Sequence, residues 1–173
     1  MTGTARFLSF LCSLSVAVLV FSGPSGAAEL AKPKGEVLLT LSGNVSNQNA
    51  GDKAEFDFDM LHALGVTKIE TATAWTQGTK TFEGILLKTL VDAVGAEGST
   101  AEVIALNDYK VDIPMKDFTD YPVILAYQMD GERLKIREKG PLWVVYPEDD
   151  NPKLKNKQTQ AKWVWQVKEI HFK

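Results

Sequence analysis

Cysteine is almost missing from this sequence. Of 173 residues only Cys12 carries a thiol, and it lies inside an apolar N-terminal run, directly after Leu11. Leu11 is too bulky for a lipoprotein cleavage site. Once that run is removed, the remaining chain can form no disulfide, no thiolate metal site and no cysteine nucleophile. Histidine is nearly as scarce. His62 and His171 are the only two, far apart and without a Cys or a carboxylate pair at ligand spacing, so no zinc site is expected. Each reads as a surface or packing residue. There is no G-x-S-x-G elbow, no glycine-rich phosphate signature and no dinucleotide fingerprint. A basic stripe is absent too: 19 basic residues face 22 acidic ones, a net charge of −3, which argues against nucleic acid as a partner. Lys153, Lys155, Lys157 and Lys162 cluster, but they follow the acidic run Glu148, Asp149, Asp150 and read as a solvated loop.

The leader comes first among what is present. Arg6 supplies a positive start, residues 7–21 are an apolar run, and Ser25-Gly26-Ala27-Ala28 offers small side chains for a cut after Ala28. Residues 1–28 therefore read as a secretory signal peptide, with export to the periplasm. An uncleaved anchor is the alternative, but a run of about 15 residues falls short of the roughly 20 that span a bilayer. Residues 29–36, with Pro33 and Gly35, read as a flexible leader, and residues 37–173 as a single domain.

Hydrophobic residues at 45% and charged residues at 24% suit an ordinary globular domain. Short strands are expected at 37–45, 54–58, 101–106, 109–113, 122–127 and 162–172, and a further strand, LWVVY, after Gly140-Pro141. Asp57 or Asp59 caps a brief helix over 60–64, stopped by Gly65. Residues 114–120 read as a turn or short helix. Asp130-Gly131 marks a hairpin, and residues 148–160 read as a long polar loop. The last strand is expected to pair with an early one. The sum is an α+β domain with mixed β-sheets or a partial barrel and two or three short helices.

Residues 69–90, IETATAWTQGTKTFEGILLKTL, organise the functional reading. They alternate as a strand to Trp75, break at the polar turn 76–81, and restart as an apolar helix ending at Gly95. A polar loop at a helix N-terminus, where unpaired N–H groups point outward, favours a bound acceptor or anion. A plain strand-to-helix connection capped by Thr79 or Thr81 explains the same pattern. Trp143 is expected in the core. Trp163 and Trp165 share a strand face that is either core or an aromatic patch. Trp75 is either core or a pocket wall.

The order of segments resembles the molybdopterin-binding oxidoreductases of the sulfite-oxidase fold. The resemblance is carried by Phe82, Gly84, Ile85 and Leu87, by Tyr109 before Ile113-Pro114, by the hairpin from Leu125 into Gly140-Pro141-Leu142 and Pro147, and by Lys162, Trp163, Val164 and Ile170. It implies that fold and, as cofactor, molybdopterin. It places the family's molybdenum-ligating cysteine within a residue of Thr71, where Thr71, Ala72 and Thr73 offer no thiol. The family's arginine after G-P-L is Trp143. A threonine hydroxyl does not replace a soft thiolate, and no cofactor follows from the residues themselves.

The leading expectation is a periplasmic binding, sensing or accessory module that keeps the family's pocket without a thiolate-bound metal. That pocket is expected from Thr71, Thr73, Trp75, Thr76, Gln77, Gly78, Thr81, Asn107, Asp108 and Tyr109, groups that suit a small polar or aromatic ligand. Two alternatives stand beside it. One is an active molybdopterin oxidoreductase with an atypical metal site. The other is a module that docks a membrane-bound or periplasmic protein through Trp163 and Trp165 or through residues 153–157.

Overall fold

The computed structural model describes residues 30–173, so the expected signal peptide lies outside the described residues. In chain order the elements are β1 (Leu39–Gly43), β2 (Ala54–Phe56), α1 (Phe58–Ala63), β3 (Thr67–Ala72), β4 (Thr79–Leu86), α2 (Leu87–Val94), β5 (Thr100–Ala105), β6 (Lys110–Pro114), α3 (Lys116–Asp120), β7 (Ile124–Met129), β8 (Glu132–Arg133), β9 (Trp143–Val145), α4 (Lys157–Gln160) and β10 (Val167–Phe172). The strands form two sheets and no closed barrel among the described residues. One runs β2-β1-β10-β5-β6. The other runs β3-β4-β7-β8, with β9 on β7.

Period-two alternation builds the first sheet. Leu39 and Leu41, Ala54 and Phe56, Ala101 and Val103, Ile113, Ile170 and Phe172 all turn inward and are buried. The last strand does return to an early one: β10 lies parallel to β1, with Leu41 opposite Ile170. The second sheet supplies Ile69, Phe82, Ile85, Leu125, Tyr127 and Trp143 to the same core.

The stretch 69–90 is not strand, loop, helix. Residues 79–81, expected in the loop, are the start of β4, which pairs with β3 from Thr79 opposite Ala72 to Gly84 opposite Thr67. Phe82, Gly84 and Ile85, expected to open a helix, lie in β4, and the helix begins only at Leu87. The reason is physical. Thr79, Lys80, Thr81 and Phe82 alternate and are rich in β-branched residues, which suit a pleated strand. The switch to α2 has no capping side chain to announce it, because Leu86 stands at the N-cap position and makes no side-chain cap bond. At the far end Gly95 is the left-handed C-cap, φ 55°, as the glycine suggests. Gly84 permits the β4–β7 contact at a bulge after Glu83, since a Cβ there would run into the Leu125 carbonyl and the Ala126 backbone.

Three further segments differ from expectation. Residues 30–36 are tied to the domain: Asp57, the N-cap of α1, accepts from Met60 N (2.9 Å) and also from Lys34 N (2.7 Å) and Gly35 N (2.8 Å). Those three N–H donors hold its carboxyl below the ordinary value, in the order Met60, Gly35, Lys34. Residues 148–160 are not merely solvated loop. Glu148, Leu154 and Thr159 are buried, and Asn156 caps α4 by accepting from Thr159 N at 2.9 Å. Regular strand at the C-terminus starts only at Val167. Gln166 is left-handed at φ 55°, and the β5 pairing slips between Val167 and Glu169. No helix among the described residues is long and apolar enough to cross a membrane.

Candidate functional site

All four tryptophans meet in one cluster, with Trp75 at its centre. Its ring lies 5.5 Å from Trp165, 5.8 Å from Trp163 and 6.3 Å from Trp143, centroid to centroid. Trp143 also meets Trp163 at 5.9 Å and Phe82 edge-on at 5.3 Å. The hairpin turn after β3 delivers Trp75. The isolated bridge from Trp143 to Trp165 brings the segment before β10 beside β9. Trp143 and Trp163 are fully packed, whereas Trp75 and Trp165 are half-buried. The rings leave a cavity of about 330 Å³, within the range of small-molecule pockets. Trp75, Trp163 and Trp165 form its aromatic wall, Ala105, Ala161 and Val164 its aliphatic wall, and Asn107, Tyr109 and Gln160 its polar edge.

Of the residues expected to line a site, the structure brings Trp75, Asn107 and Tyr109 together here. Asn107 closes the β5–β6 turn by accepting from Tyr109 N at 3.2 Å, and the Tyr109 ring is 55% exposed at the rim. Asp108, in the same turn at φ 63°, does not line the cavity and pairs with Lys168 at 2.6 Å. Thr73 and Thr76 build the turn beneath Trp75: Thr73 Oγ1 accepts from Trp75 N at 3.0 Å and bonds Thr76 Oγ1 at 2.8 Å. Gln77 and Gly78 sit exposed near the hairpin tip and do not line the cavity. Thr81 is fixed in β4, where its N–H donates to Asp130 Oδ1 at 3.0 Å.

Gln160, Ala161, Ala105, Val164, Trp163 and Trp165 complete the pocket and were not among the expected lining. The first two end and directly follow the segment 148–160 that reads as a polar loop, so a place in a pocket could not be inferred there. The W-V-W spacing did signal Trp163 and Trp165, but as one strand face. The left-handed turn at Gln166 separates Trp163 and Trp165 from Val167 and Glu169, and both rings meet Trp75.

Behind Trp163 lies an unusual group. Glu148 is only 5% exposed, and its Oε1 has no hydrogen-bond partner. The indole Nε1 of Trp163 and that of Trp143 are likewise buried and unpartnered. Burial pushes the Glu148 carboxyl up, opposed by the Trp163 indole, which is near it but outside hydrogen-bond geometry, and by the Lys155 charge. Tyr146, stacked on Trp163 at 6.5 Å, donates to Asp117 at 2.9 Å. Burial, and then the Asp117 charge, drive its phenol far above the ordinary range.

A model of the oxidoreductase molybdopterin-binding domain matches residues 47–170. The chain belongs to this family. Comparison with curated proteins gives no match. Among solved structures, the sulfane dehydrogenase SoxCD from Paracoccus pantotrophus is similar, with a TM-score of 0.58 and 22% identity over 85% of this chain. The match spans only 40% of the SoxCD chain, and at this identity the likeness is one of fold.

The donor set can be tested against the cofactor that the family name implies. Thr71 stands within a residue of where the resemblance places a thiolate. It is fully buried, its hydroxyl donates to the Ala72 carbonyl at 3.2 Å, and it accepts from Asp149 N at 3.3 Å. Both roles of the hydroxyl serve the backbone, and Thr71 does not line the cavity. No group of three His, Cys, Asp or Glu side chains among the described residues could hold a metal ion. The cavity walls carry no charged side chain. The residues present do not fit a thiolate-held molybdenum.

Proposed function

We propose that this chain is a binding or sensing module of the molybdopterin-binding oxidoreductase family, working without a thiolate-bound molybdenum. Its site is the tryptophan pocket. The single observation that carries this reading is Trp75, held half-buried among three other indoles at the mouth of a cavity whose polar edge is Asn107, Tyr109 and Gln160. Aromatic walls with a few placed amide and hydroxyl groups favour a small organic ligand with a flat, apolar body. Export by the leader ending at Ala28, and a periplasmic setting, belong to the same proposal.

The test is a titration of candidate small molecules followed by tryptophan fluorescence and calorimetry. Binding that is lost in Trp75→Ala, while a Gln77→Ala protein binds normally, supports the pocket. Equal binding by wild type and Trp75→Ala ends it. The docking alternative is narrower than the sequence suggested. Trp163 is 2% exposed, so a partner would meet Trp165 and Tyr109 at the rim rather than a paired Trp163/Trp165 face. An enzyme with an atypical metal site remains the rival reading, and metal analysis of the native protein separates it.

A further inference from the structure

Three ion pairs flank the tryptophan pocket, and buried Glu148 behind Trp163 is in no ion pair. Asp108 pairs with Lys168 (2.6 Å), Asp117 with Lys162 (2.7 Å) and Asp149 with Lys155 (2.7 Å). Lys139 stands outside these pairs. It makes no ion pair among the described residues. Its ammonium instead lies over two rings of the cluster, with Nζ 4.7 Å from the centroid of Trp165 and 5.5 Å from that of Trp143. Trp165 is a wall of the pocket, so a free positive charge rests directly against that wall.

The backbone holds Lys139 there. Its φ is 78°, a left-handed conformation that a side chain rarely adopts. Its carbonyl accepts from the N–H of Gln166 at 3.0 Å, and Gln166 is itself left-handed at φ 55°. Gln166 is anchored a second time, through Nε2 to the Ile136 carbonyl at 2.6 Å. Two non-glycine residues in a costly region, bonded to each other beside a pocket wall, are the kind of local strain that collects at functional sites.

We propose that the pocket takes an organic anion with a flat apolar body, its charge favoured by the Lys139 ammonium. This rests on the binding reading above and adds its charge class. A cationic ligand would fit the ring faces as cations do, but here it would meet a second cation across one indole. A neutral ligand would gain the stacking and nothing from Lys139. An anion gains both.

Three probes with the same ring separate these cases: 2-naphthoate, 2-naphthamide and 2-naphthyltrimethylammonium, titrated by calorimetry into the mature protein. The expected result is naphthoate tightest and the ammonium weakest. The naphthoate-to-naphthamide ratio should be roughly fivefold, the size of a unit-charge interaction across a ring at a partly wet site, and it should shrink with added salt. Lys139→Met should remove the naphthoate advantage and leave naphthamide affinity unchanged, while Lys139→Arg should keep the advantage. Equal affinities, an ammonium preference, or a naphthoate advantage that survives Lys139→Met would overturn the charge assignment and leave the pocket standing. Failure of all three probes to bind at millimolar concentration would overturn the pocket and the charge assignment together.

Discussion

Replacing Trp75 with alanine removes three ring contacts at once, at 5.5, 5.8 and 6.3 Å. Aromatic pairs are worth about 0.5–1.5 kcal/mol each beyond the area they bury. Truncating a fully buried tryptophan costs about 3–5 kcal/mol. Trp75 is only half-buried, so the lower end applies, about 3 kcal/mol. At about 2–4 °C per kcal/mol for a domain of this size, the melting temperature should fall by roughly 10 °C. Trp75→Phe keeps one six-membered ring near Trp163 and Trp165 and should lose roughly half as much. Thermal unfolding by circular dichroism reads the stability, and near-ultraviolet dichroism reads the loss of coupling among the indoles. Ligand titration on the phenylalanine variant, which stays folded, separates binding from stability. A loss below about 1 kcal/mol would mean that Trp75 is not packed into the cluster and that the pocket lacks its central wall.

Other expectations are shorter. Gly84→Ala should destabilise by about 1–3 kcal/mol or more, because the new Cβ is driven into the Leu125 carbonyl and the Ala126 backbone; chemical denaturation measures it, and a neutral result would contradict the close β4–β7 approach. Asp57→Asn should lower the melting temperature at neutral pH. Because the folded state depresses the Asp57 pKa, the stability it gives is present above the ordinary value of 3.8 and is lost as pH falls through the folded value. The gap between variant and wild type should therefore close in acid. Glu148 has the opposite sign. Burial raises its pKa above 4.5, so its effect on folding is most favourable below that value and worsens as pH climbs through the folded pKa. Glu148→Gln should raise the melting temperature at neutral pH and give no advantage in acid. A pH-independent difference would show that the carboxyl is not buried as described.

The sequence carried the sheet-forming alternation well. Leu39 and Leu41, Val103, Ile113 and Ile170 turn inward because period-two patterning fixes which face is buried. The Asp57 cap, the Gly95 cap and the Asp130-Gly131 hairpin were legible because each has a local chemical signature. Residues 79–87 were not. A strand running straight into a helix, with Leu86 in place of a capping side chain, leaves one continuous apolar run whose period changes without punctuation. Much of the site was hidden for a different reason. That Trp75 would meet Trp143, Trp163 and Trp165 depends on contacts across up to 90 residues of chain, and the left-handed residues beside the cluster, Lys139 and Gln166, have side chains that give no hint of that conformation. The resemblance put the family's thiolate within a residue of Thr71, and the short hydroxyl there was readable. Its burial, and its bond to the Asp149 backbone, were not.

Native mass spectrometry with metal analysis, on protein purified from its native host, tests the central claim most directly. The account predicts a chain carrying a small organic mass, or one that takes up an organic anion on addition, with molybdenum far below one atom per chain. One molybdenum per chain, bound with a pterin mass, would contradict it and return the protein to the redox enzymes of its family.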